Sequence, residues 1–73
     1  FIEDGEMFAR LVHVHCLEVA GRRSDAARVA HAGRDILLRR SKTLPDSTAR
    51  TRFLLEVPEH ARILALARRL GAA

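Results

Sequence analysis

Apolar residues recur every three or four positions along four stretches of the chain, and each stretch is bounded by residues that start or stop helices. Gly21 breaks the first stretch, and Ser24-Asp25 just after it read as a cap for the second. Leu44-Pro45-Asp46-Ser47 breaks the second and again ends in cap-forming residues. Val57-Pro58-Glu59 opens the last, with proline at the first helical position and a carboxylate near the positive end of the helix dipole. Gly71 closes it. The spacing predicts helices over 4–20, 24–41, 47–56 and 58–70, an all-α chain folded as two antiparallel helical hairpins on short connections.

The helices differ in how their apolar residues are distributed. The first gathers Met7, Phe8, Leu11, Val12, His15 and Val19 on one broad face, and Val14, Cys16, Leu17 and Ala20 carry apolar character almost all the way round. A helix apolar on most sides packs on more than one neighbour. Met7, Val14 and Leu17 are therefore candidate interface residues, with Leu17 opposite the main face and turned away from the internal core. The second helix carries a stripe of small residues, Ala26, Ala30 and Gly33, continued by Leu37, which lets another helix approach closely. Arg28, His31, Asp35 and Arg39 are expected on its far side. The last helix lines up His60, Ile63, Leu64, Ala67 and Leu70, with Arg62, Arg68 and Arg69 off that row. A shift of 35 residues sets Ala26 on Ala61, Val29 on Leu64 and Ala30 on Ala65, which suggests an internal repeat.

Composition narrows the function classes. At 73 residues the chain is one small domain, near the size below which a single core no longer supports itself. It begins at Phe1 rather than Met, which suggests a piece, expected to be C-terminal, of a longer protein. One cysteine excludes an internal disulfide and points to a reducing, cytoplasmic setting. No apolar run approaches the roughly 20 residues of a membrane span, so no membrane association is expected. The formal charge of +4 leaves a nucleic-acid partner open as an alternative, with Arg39-Arg40-Ser41-Lys42 as the candidate phosphate contact. The same run also suits a helix C-terminus, where cations meet the negative end of the dipole.

The sequence His13-Val14-His15-Cys16 raises the question of a metal site. On a regular helix His13 and His15 point about 160° apart, so they cannot chelate one ion. His13 and Cys16 lie about 60° apart and offer only two ligands where a structural zinc site takes four. His15 reads as a core-edge histidine and Cys16 as a small buried hydrophobe. A Cys16–His13 pair has the makings of a nucleophile and base, but no third orienting group or oxyanion-donating loop accompanies it. No catalytic residue, cofactor or metal is expected.

The segment "LEVAGRRSDAARVAHAGRDIL" resembles a divergent tetratricopeptide repeat. Leu17 falls on that family's large position, Gly21 on the turn, Ala26 on the alanine, and Ala30 and Gly33 on the later close-packing positions. Arg10 stands where the family has an aromatic residue, His13 where it has leucine, and the closing proline is missing at Leu38. The tail "RTRFLLEVPEHARILALARRLG" is similar to the ends of helical-repeat regions in large bacterial regulators, among them ATPase-type transcription regulators and cyclase-linked proteins. The resemblance implies a non-catalytic interaction or signal-relay module. Its partner would be another protein or the rest of the parent chain, with self-association through the first helix as a further expectation.

Overall fold

A computed structural model describes residues 5–71. These residues are all-helical: α1 (Gly5–Val19), α2 (Arg23–Ser41), α3 (Ser47–Leu55) and α4 (Pro58–Gly71). The expected start of the first helix at residue 4, and the acidic Glu3 and Asp4 there, lie outside the described residues.

The turn between α1 and α2 is dictated by Gly21. Its φ of +77° is a left-handed conformation that a Cβ would strain. From it the Arg22 N–H donates back to the Leu17 carbonyl at 2.8 Å and the Gly21 N–H to the Glu18 carbonyl at 3.0 Å. This is the paired bonding of a Schellman motif, which satisfies the last carbonyls of α1 and reverses the chain. The reversal is tight enough that α2 starts at Arg23, before the expected Ser24-Asp25 cap. Arg22 takes the cap position without a side-chain cap bond, and Asp25 instead lies in the first turn, paired with Arg22 and Arg28. At α3 the cap is as the sequence suggests: the Asp46 carboxylate accepts from the Ala49 N–H at 2.8 Å. Pro58 is the first residue of α4.

Two layers of side chains build the core. Met7 of α1, Leu37 of α2 and Ile63 of α4 meet in one, with Phe53 and Leu54 of α3 packed against it. Val14 of α1, Ala26 and Ala30 of α2, and Ala67 and Leu70 of α4 meet in the other. Residue numbers rise from the first layer to the second in α1 and α4 and fall in α2. Hence α1 and α4 run parallel, and α2 runs antiparallel between them. The expected α1–α2 hairpin is present. α4, however, packs chiefly on α2 rather than on α3, and α3 contributes no fully buried residue. Because α2 and α4 run in opposite directions, the 35-residue shift that pairs them does not describe a repeat in space.

The small-residue stripe explains the closeness of these helices. Ala26, Ala30 and Leu37 are fully buried, as is Gly33. A Cβ on Gly33 would lie 2.5 Å from Arg10 Cδ and 3.1 Å from Ile63 Cγ2, so glycine leaves the space through which Arg10 crosses from α1. The Arg10 guanidinium donates to the Val29 carbonyl at 3.2 Å, while its Nε is buried with no partner among the described residues. His31, expected on the outer side of α2, instead turns toward α4, with Nε2 3.2 Å from the Ala67 carbonyl. That contact requires the proton on Nε2. Gly71 makes room for it, since a Cβ there would overlap the imidazole ring. His60 Nδ1, 2.7 Å from the Phe53 carbonyl, ties the end of α3 to the start of α4, and its ring stacks at a tilt on Phe53.

The Cα framework measures 40 × 26 × 16 Å. The shortest dimension fits two layers of helices, so most helices have one side that no other helix covers.

Candidate protein-interaction groove

On α1 the buried arc is narrow. Val14 and Met7 are buried, Leu11 and Leu17 are half-buried beside them, and Arg10 lies on the side toward α2. At 100° per residue these positions span about 120° of the helix surface. Next to this arc, about 100–160° round from Val14, lie Phe8, Val12, His15 and Val19. All four are exposed, with Phe8 at 59%, Val12 at 47% and Val19 at 75%. The expected broad core face was therefore centred too far round the helix, because Arg10 points inward and draws the buried arc toward α2.

This reverses the roles of the candidate interface residues. Met7 and Val14 are interior, and Leu17 is half-buried against the Val14–Ala26–Ala30 layer rather than turned to solvent. The outward apolar surface of α1 is made by Phe8, Val12 and Val19, which the hydrophobic pattern alone places on the core face. His15 is exposed rather than at the core edge, and Cys16 is an exposed free thiol rather than a buried hydrophobe. His13 is exposed as well, and among the described residues no three His, Cys, Asp or Glu side chains gather where they could share a metal ion.

The exposed stripe borders a groove of about 550 Å³ between α1 and α4. Phe8, Val12 and His15 form one wall, Leu11 and Val14 the floor, and Leu66 of α4 the opposite side. Arg62 and Arg69 stand seven residues apart, two turns of α4, on that far rim. Arg69 donates to Glu18 Oε1 at 3.2 Å and closes the groove at its Glu18 end. Arg62 makes no hydrogen bond or ion pair among the described residues. The surface is thus an apolar trough with a cationic edge.

Several of the other charges are paired with one another. Arg40 donates to Glu6 Oε1 at 2.8 Å, joining the end of α2 to the start of α1. The hydrogen bond from Arg40 holds the Glu6 carboxyl below its ordinary value, and a hydrogen bond from Arg22 does the same for Asp25. Arg34 pairs with Asp35 at 3.2 Å. Arg39 and Arg40 do lie in the last turn of α2, where the dipole favours cations. Ser41, within the same basic run, is buried with its hydroxyl donating to the Leu38 carbonyl at 2.8 Å. None of the four helices is long and apolar enough to cross a membrane.

A smaller depression of about 240 Å³ lies on the opposite flank of α1, lined by Glu6, Ala9, Arg10 and His13. Its carboxylate is already engaged by Arg40. Compared with protein-family models, with curated proteins and with solved structures, the chain matches none.

Proposed function

We propose that the chain is a non-catalytic protein-interaction module that binds through the groove between α1 and α4. In this reading it is a helical-repeat segment of a larger bacterial-type regulatory protein, relaying signals from within the cytoplasm. The observation that carries the binding reading is the pair of uncovered apolar residues Phe8 and Val12 lining a preformed trough, with Val19 exposed further along α1.

The helical-repeat reading draws support from direction as well as sequence. When two-helix units stack, the first helix of the next unit lies parallel to the first helix of its predecessor and against the second. α4 stands to α1 and α2 in that relation, with α3 as an inserted connector. Repeat units bury their faces on neighbours, and a thin slab with one apolar flank suits that way of assembling.

The alternative, a basic nucleic-acid-binding domain, has weaker support. Several of the cations that would contact phosphate, among them Arg22, Arg28, Arg34 and Arg40, are paired with carboxylates. Selection of displayed helical peptides on the immobilised chain tests the proposal. Peptides with an amphipathic pattern should be enriched, and the double variant Phe8→Glu, Val12→Glu should lose them while its circular dichroism is unchanged. Enrichment indifferent to that variant would reject the groove. Salt-sensitive, submicromolar binding to duplex DNA would favour the alternative.

A further inference from the structure

We infer that the occupant of the α1–α4 groove is an acidic amphipathic helix of another chain, with carboxylates two turns apart facing Arg62 and Arg69. The inference rests on the groove being a binding site and adds the chemistry of what binds there. From Phe8 to Glu18 the groove follows α1 for about 15 Å, the length of nearly three helical turns. A concave apolar strip of that length accepts the ridge of one helix, read through apolar residues spaced three and four apart. A partner residue row between the walls would cover Phe8 and Val12 on one side and Leu66 on the other.

Charge selects among occupants of that shape. Two arginines and one carboxylate edge the groove, and the carboxylate already accepts from Arg69. Arg62 faces the trough with no carboxylate of its own among the described residues. Because Arg62 and Arg69 are seven residues apart, a helix lying along α4 meets them with residues i and i+7 of one edge. Glutamate or aspartate facing Arg62 balances the rim cation left unpaired among the described residues, and a second facing Arg69 shares that arginine with Glu18, whereas lysine or arginine at either place sets like charges together. A second copy is the poorer fit. In an isologous pair the same patch faces itself, so each side brings two cations and one carboxylate and one cation per side stays unbalanced. A flat anionic lipid surface satisfies the arginines but does not follow the concave strip between α1 and Leu66 of α4.

Two labelled synthetic helical peptides of about four turns make the test, both with the same leucine row. One carries glutamate and the other lysine at the two edge positions, and anisotropy is read against the wild-type chain at low and physiological salt. The glutamate peptide should bind about tenfold or more tightly than the lysine peptide, a difference of about 1.4 kcal/mol. Arg62→Glu should erase or invert that preference, and Phe8→Glu should weaken both peptides. Circular dichroism of each variant checks that the helices persist. Equal binding of the two peptides, still lost in Phe8→Glu, overturns the acidic partner while leaving the groove as the binding site. Binding of neither peptide overturns the groove itself. A doubled mass in light scattering that Phe8→Glu returns to monomer assigns the groove to a second copy. Tighter capture by phosphatidylserine-containing vesicles than by the glutamate peptide assigns it to membrane. Either result overturns the inference.

Discussion

Replacing Gly33 by alanine should destabilise this protein, although the same change in an open helix stabilises. Within a helix, glycine is less favourable than alanine by about 0.8–1.0 kcal/mol, so propensity alone predicts a gain. The structure opposes it. The new Cβ would stand 2.5 Å from Arg10 Cδ and 3.1 Å from Ile63 Cγ2, against the roughly 3.5–4.0 Å at which carbon atoms pack comfortably. Arg10 is not free to swing aside, because its guanidinium is hydrogen-bonded to the Val29 carbonyl within the α1–α2 contact. Overpacking of this kind costs about 1–3 kcal/mol, which leaves a net loss of about 1 kcal/mol once propensity is subtracted. Removing Arg10 separates the two effects. In Arg10→Ala only the Ile63 methyl crowds residue 33, and Gly33→Ala should then stabilise by about 0.5–1 kcal/mol. Urea unfolding followed by far-ultraviolet circular dichroism, for wild type, both single variants and the double variant, gives the coupling, expected at about 1–2 kcal/mol. If Gly33→Ala stabilises equally with and without Arg10, the arginine does not cross at Gly33 and the account of the interface is wrong.

Other outcomes follow from the same packing. Leu37→Ala, at a position with no solvent exposure between Met7 and Ile63, should cost about 2–5 kcal/mol, enough to unfold a domain of this size, whereas Val19→Ala should change stability by less than about 0.5 kcal/mol. Asp46→Ala should cost about 1 kcal/mol through loss of the bond from the Ala49 N–H, read as a lower denaturant midpoint with an unchanged slope. Glu6 and Asp25 are held below their ordinary values of 4.5 and 3.8 by hydrogen bonds from Arg40 and Arg22. A carboxylate depressed on folding stabilises fully above its unfolded value and loses that contribution as pH falls through the folded one. Between about pH 5 and pH 2 wild type should therefore lose more of its midpoint than Glu6→Gln, Asp25→Asn does.

Helix count and helix ends were legible because they depend on neighbouring residues. Gly21, Asp46 and Pro58 act within a turn of themselves, and the helices they delimit agree with the expected ranges to within a residue or so wherever those ranges are described. The α2 stripe was equally readable: Ala26, Ala30 and Gly33 stand opposite charged residues, so only one face could turn inward. α1 was not readable in this way. Apolar residues surround it, so periodicity could not choose between the Met7–Val14 arc and the Phe8–Val12–Val19 arc. The deciding residue is Arg10, whose inward path depends on the gap at Gly33, a long-range fit that no local pattern displays. The helix directions were hidden for a similar reason. Of the alanines that suggested a repeat, Ala26 and Ala30 pack on Ala67 and Leu70 of the oppositely directed α4, whereas Ala65 is exposed.

The central claim, that the uncovered flank of α1 beside α4 is the binding surface, is tested most directly by amide chemical-shift mapping. The labelled chain would be titrated with the glutamate-edged peptide. The account predicts shifts concentrated at Phe8, Val12, His15, Arg62, Leu66 and Arg69, with little change at Arg28, Asp35 and Arg39 on the outer side of α2. Shifts that instead cluster on α2 or α3 while the α1–α4 groove stays silent would contradict it.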